Sequence, residues 1–156
     1  MKMSAREDVE APIAFVYEQI TDFAAFERKA MRRGAEVQRV DSLAAPGPGM
    51  AWDVDFTLRG KHRKVQIALG KLDPPNGLII TSRSPAMGGQ MTVDLVALSR
   101  NRTRMSLDIE LSPKNLSSKL LVQSMKLARK TLNRRLRKRI AQYAAELEDR
   151  HDSTVV

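Results

Sequence analysis

The chain has 156 residues, enough for one domain with a single core, and 42% hydrophobic against 29% charged residues is a globular rather than a disordered balance. Cysteine is absent, which excludes a disulfide framework and any cysteine-based nucleophile or metal site. The net charge of +9 is uneven: residues 1–78 carry 12 basic and 11 acidic side chains, residues 79–156 carry 15 and 7, and Lys114 to Arg139 holds ten cations and no acid.

No apolar run approaches the ~20 residues of a membrane span. The opening MKMSAREDVEAP carries acids and lacks the apolar stretch of a signal peptide, so a cytoplasmic protein is expected. Met3, Ala5 and Val9 alternate with polar residues as in a half-buried strand, with Glu7 falling on the apolar side. Pro12 opens a helical pattern through Ile13, Val16, Tyr17 and Ile20, and FAAFERKAMRR forms a second short helix ended by Gly34. From Ala35 the period becomes two. AEVQRV is a strand, LAAPGPG a loop, and WDVDFTL a strand with Trp52, Val54, Phe56 and Leu58 on one face.

A turn at Arg59-Gly60 returns the chain as KHRKVQIAL, which would set Val54 opposite Val65, Phe56 opposite Arg63 and Asp55 opposite Lys64. DPPNG is a turn, LIITSRS a strand and PAMGG a further break; MTVDLVAL and TRMSLDIEL form the last hairpin. A long helix is expected from about Asn115 to Glu148. Leu121, Met125, Ala128, Leu132, Leu136, Ile140, Tyr143 and Leu147 recur every three or four residues as one stripe. The order of strand, two helices, six strands and a long helix calls for a curved antiparallel sheet wrapped around that helix, an α+β fold. Residues 1–150 form one domain in this reading, with 151–156 a disordered tail.

The stretches DVEAPIAFVYEQITDFAAFERK, GPGMAWDVDFTLRGKHRKV and LDIELSPKNLSSKLLVQSMKLARKTLNRRLRKRI resemble the SRPBCC superfamily, the START-like, birch-pollen-allergen-like helix-grip group that includes polyketide cyclase/dehydrase-type proteins. The likeness covers nearly the whole chain. It implies a cavity between sheet and long helix that holds a hydrophobic ligand. Some members are enzymes and others lipid or quinone carriers, so the resemblance implies a fold more than a reaction.

Trp52 and Phe56, on the strand face toward the long helix, are candidate cavity walls, as are Met91, Met105 and Met125, whose flexible thioethers suit varied apolar ligands and core packing alike. Glu7 and Arg63 are the acid and the cation on inward parities. As a buried pair they would tune a general acid or bind a polar head; at the sheet edge they would reach water. No catalytic residue stands out, since His62 is on an outward parity and His151 is in the tail. No metal site or cofactor is expected. The leading expectation is binding or transport of a small hydrophobic ligand of lipid, quinone or polycyclic aromatic type, with a cyclase/dehydratase-like enzyme as the alternative. A third reading makes the chain a docking protein, with Arg129, Lys130, Arg134, Arg137 and Lys138 projecting from the helix toward an anionic membrane or acidic partner. Specific nucleic-acid binding is not expected, because stacking aromatics and a known module are both missing.

Overall fold

The structure, a computed structural model, describes residues 1–155. Strand β1 (Lys2–Val9) leads into α1 (Ile13–Ile20) and α2 (Phe23–Arg32). Pro12 holds φ at −62°, set for helix entry. The Asp22 carboxylate then accepts from Ala25 N at 3.1 Å, a cap that starts a second helix where one could have continued. Gly34, at φ 93°, turns the chain out of α2. Six strands follow: β2 (Glu36–Arg39), β3 (Ala51–Leu58), β4 (Lys61–Asp73), β5 (Gly77–Arg83), β6 (Met87–Ser99) and β7 (Arg102–Pro113). They join β1 in one antiparallel sheet of order β1-β7-β6-β5-β4-β3-β2, and α3 (Leu116–Leu127) and α4 (Arg129–Thr154) close the chain.

The β3–β4 register is the one the sequence implies, with Val54 facing Val65, Phe56 facing Arg63 and Asp55 facing Lys64. Arg59 and Gly60 both take positive φ, 53° and 76°, the two-residue turn whose twist matches the flanking strands. Four expectations change. PAMGG is a break only as far as Ala86, because Met87, Gly88 and Gly89 already pair with Pro113, Ser112 and Leu111. A Cβ on Gly89 would come within 2.4 Å of Ser82 Oγ, so this glycine marks a close approach inside the sheet. Strand β4 runs on past Leu69 to Asp73, absorbing Gly70 in an irregularity of its pairing with β5.

The long helix is two helices. At Ala128, φ −97° and ψ 17° leave the helical well, and α4 starts afresh. Finally, α4 continues through Arg150 to Thr154, where the sequence predicts a frayed tail from 151. His151 packs at a tilt against Phe15 with ring centroids 4.9 Å apart, and Arg150 Nη1 donates to Gln19 at 3.0 Å, so α1 supports the last turns. Position 156 lies outside the described residues.

The core lies between the inner sheet face and the helices. Val9, Val16, Met50, Leu69, Thr103 and Leu147 are fully buried. Thr103 Oγ1 donates to Ala11 O at 2.8 Å, which satisfies the buried hydroxyl at that end. Helix α4 packs across β1. Its stripe is buried unevenly: Ala144 and Leu147 are core, Leu136, Ile140 and Tyr143 lie against the core, and Leu121, Met125 and Leu132 are half-buried outside it. The grip is tight over the carboxy-terminal half of α4 and loose over α3 and the bend.

Candidate functional site

The inner sheet face is set by register. Trp52 faces Ile67, Ile67 faces Ser82, Ile80 faces Met91, and Met91 faces Ile109, so these side chains share one surface with Phe56, Arg63 and Val65. Phe56, Arg63, Val65, Ile67, Ile80, Met91 and Ile109 are all half-buried, as are Leu132, Leu136 and Ile140 opposite. A sealed core would bury them. The inner sheet face is therefore an open apolar cleft that the helices cover only in part. Two further grooves, of about 540 and 350 Å³, lie mainly on the outer sheet face, lined by charged residues such as Asp53, Asp55 and Lys64, or Lys2, Asp108 and Glu110. Their walls mix apolar with charged side chains, which suits a mainly apolar molecule less well than the inner face does, so the inner face is the candidate despite their volume.

The expected wall residues divide. Phe56 and Met91 are half-buried on the inner sheet face, and Met105, 3% exposed, is core. Met125, half-buried on α3, stands apart from the core. Trp52 is buried and tied down: its Nε1 donates to Glu27 Oε1 at 2.6 Å, Phe23 packs at 5.6 Å, and the Arg39 guanidinium lies 5.9 Å over its ring. Sequence pattern does not single out Glu27, although a buried tryptophan N–H needs an acceptor and α2 is the polar helix near it. Glu7 and Arg63 do not form a pair. They face inward from β1 and β4, with β7, β6 and β5 between them, roughly 19 Å apart along the sheet at ~4.8 Å per strand.

Unpaired polar atoms occur on the same elements, β4 and α4. Arg63 Nε, Asn133 Oδ1 and Tyr143 Oη are buried atoms with no hydrogen-bond partner among the described residues. Arg63 belongs to the inner parity of β4, and Asn133 and Tyr143 to α4 on either side of Leu136 and Ile140. Burial pushes the Tyr143 hydroxyl up to about 12, so it is a neutral donor at physiological pH. Phe26 and the Lys29 ammonium flank its ring, with ring centroids 6.2 Å apart and the ammonium 5.9 Å from the centroid. An unpaired buried hydroxyl costs free energy, and such groups need an account. None of the three is hydrogen-bonded to another. No group of three or more His, Asp or Glu among the described residues could hold a metal ion.

The rim beside Trp52 is held by Asp41. Its carboxylate accepts from the Arg39 guanidinium and from Ala51 N and Leu43 N, both at 3.0 Å, which together keep its carboxyl well below the ordinary 3.8. A lowered folded value means that Asp41 contributes stability above 3.8 and loses it as pH falls toward the folded value. In thermal melts taken below 3.8, the native protein should lose stability more steeply than Asp41→Asn does. Parallel curves would remove this anchor from the account.

Arg129, Lys130, Arg134, Arg137 and Lys138 are all exposed. No helix among the described residues is long and apolar enough to cross a membrane.

No protein-family model matches the chain, and no curated protein does. Solved structures share its fold. TTHA0849 from Thermus thermophilus aligns over 100% of both chains with a TM-score of 0.66 at 16% identity. The Zhui aromatase/cyclase from Streptomyces sp. R1128 gives 0.59 at 14% identity, covering 74% of this chain and 70% of that one. A START superfamily protein from Mycobacterium smegmatis gives 0.56 at 14% identity, covering 88% and 97%. The chain has the helix-grip fold of START-like proteins: a curved seven-stranded sheet around a carboxy-terminal helical arm.

Proposed function

We propose that the protein is a cytoplasmic carrier that binds one small hydrophobic molecule in the cleft between the inner sheet face and α4. The ligand is mainly apolar with an oxygen acceptor at one end, as in a fatty acid, a quinone or an oxygenated polycyclic aromatic compound. The observation that carries this reading is the pairing of half-buried apolar walls with the unpartnered donors Arg63 Nε and Tyr143 Oη. A ligand oxygen accepting from either donor would satisfy it, while the ligand's apolar body would cover Phe56, Ile80 and Met91. The cyclase-like alternative is supported by the fold shared with an aromatase/cyclase. It asks for polar groups that act together, and Arg63, Asn133 and Tyr143 share no hydrogen bond among the described residues.

The test is displacement of an apolar fluorescent probe by fatty acids, quinones and flat polycyclic ketones, run on the native protein, on Tyr143→Phe and on Arg63→Leu. Loss of the hydroxyl should weaken an oxygen-bearing ligand roughly tenfold while leaving its hydrocarbon analogue unchanged. The same substitution removes an unpaired buried hydroxyl and so should stabilise the free protein by about 1 kcal/mol. A probe that no ligand class displaces, or displacement by oxygen-bearing ligands that neither Tyr143→Phe nor Arg63→Leu weakens, would sink the reading.

A further inference from the structure

Helix α3 carries apolar residues on two opposite sides. Ser118 and Val122 are buried toward the end of β7, with Leu121 and Met125 half-buried beside them. On the other side Leu116, Leu120 and Leu127 are 74%, 57% and 93% exposed. Their spacings of four and seven residues place all three on one strip of the helix. Lys119 and Lys126 border one side of the strip, and past the bend at Ala128, Lys130, Arg134 and Lys138 recur at intervals of four along α4. All are exposed.

Nothing inside the fold accounts for this surface. None of the ten cations from Lys114 to Arg139 forms an ion pair among the described residues; the recorded pairs all lie outside that segment. Like charges four apart on a helix repel. The cations also crowd the first half of α4, whereas Glu146, Glu148, Asp149 and Asp152 crowd its end, which opposes the helix dipole at both ends. Local helix stability therefore argues against the pattern, and an external anion argues for it. The turn Leu58–Lys61 is at the same end of the sheet as the start of α3, because β3 ends there and β7 runs toward it. It adds an exposed Leu58 beside the cations of Arg59 and Lys61.

We infer that this end of the protein docks on an anionic lipid bilayer, with Leu116, Leu120 and Leu127 entering the interface and the lysines and arginines lying over the headgroups. A second copy of the chain is disfavoured, since two such surfaces would repel each other. Large exposed leucines bordered by cations suit a bilayer interface, where the apolar side is buried a few ångströms deep and each nearby cation strengthens binding by about fivefold. The inference does not depend on an occupied cleft.

Vesicle sedimentation decides it, with phosphatidylcholine alone against phosphatidylcholine containing phosphatidylserine, and with heparin resin as the purely electrostatic control. The full chain should bind the acidic vesicles and not the neutral ones. The triple variant Leu116→Ser, Leu120→Ser, Leu127→Ser should lose at least tenfold in vesicle affinity while keeping its heparin retention and its melting temperature, since all three positions are exposed. Lys119→Glu, Lys126→Glu, Lys130→Glu should lose both kinds of binding. In Leu120→Trp, emission should shift to the blue on acidic vesicles, over a constant background from buried Trp52. Undiminished vesicle binding by the leucine variant, or unshifted emission from the introduced tryptophan, would overturn the inference and leave a merely cationic surface that heparin or an acidic partner reads equally well.

Discussion

Replacing Leu147 by Asp should unfold the domain. Leu147 is 0% exposed, in the part of α4 that packs across β1. Truncating a buried leucine costs about 2–5 kcal/mol through lost burial and the cavity left behind. A carboxylate there adds several kcal/mol more, because Leu147 sits within the buried apolar cluster. A domain of this size holds ~5–15 kcal/mol in all. Leu132→Asp is the instructive contrast. Leu132 occupies the same sequence stripe, but it is half-buried and outside the core, so its loss should stay near ~2 kcal/mol. Urea denaturation of both variants checks the pair. Equal, complete loss in both would mean that α4 is clamped along its whole length, and the half-open cleft would not exist.

That contrast shows where the sequence stops being informative. Alternation of two and recurrence of three or four are local signals, and they locate every strand, the helix pair and the β3–β4 register down to the Asp55–Lys64 neighbours. Depth of burial is not local. Leu132 and Leu147 look alike in the stripe because helical spacing reports direction, while burial depends on where the sheet ends beneath the helix. The same gap explains Glu7 and Arg63: parity correctly turns both inward, but three strands separate them, a fact set by strand order. Gly88 and Gly89 read as a break because glycine is rare in strands, and only the pairing of β6 with β7 shows them inside the sheet, where the Ser82 hydroxyl occupies the space beside Gly89. Trp52 is visible in the alternation as a wall residue, whereas its acceptor Glu27 belongs to a helix 25 positions away and carries no periodic signal.

Gly77→Ala, the addition of one methyl group, should rival the loss of Leu147. Gly77 opens β5 beside the turn at Asp73–Asn76, buried, with φ 153°. A Cβ built there would lie 1.9 Å from Val93 O and 3.0 Å from Val93 C. Those are backbone atoms of the neighbouring strand, so no side-chain rotation relieves the clash, and β5 must move off β6. The displacement separates the cross-strand pair Leu78 and Val93, 4% and 7% exposed, near the centre of the core. Forced overpacking costs about 1–3 kcal/mol and a disfavoured backbone angle about 1–3 more, before the lost pairing is counted. The control is Gly70→Ala on β4, where the nearest atom to a new Cβ is Ile79 O at 3.6 Å, ordinary contact distance, and the change should stay within ~1 kcal/mol. Thermal melts of the two variants compare like with like. The functional consequence follows from the same movement: Ile80, three residues along β5 and part of the cleft wall, shifts with the strand, so any Gly77→Ala protein that still folds should bind the apolar probe more weakly than Gly70→Ala does. Matching melts and matching probe affinities would show that β5 can yield at Gly77 without disturbing either the core or the cleft.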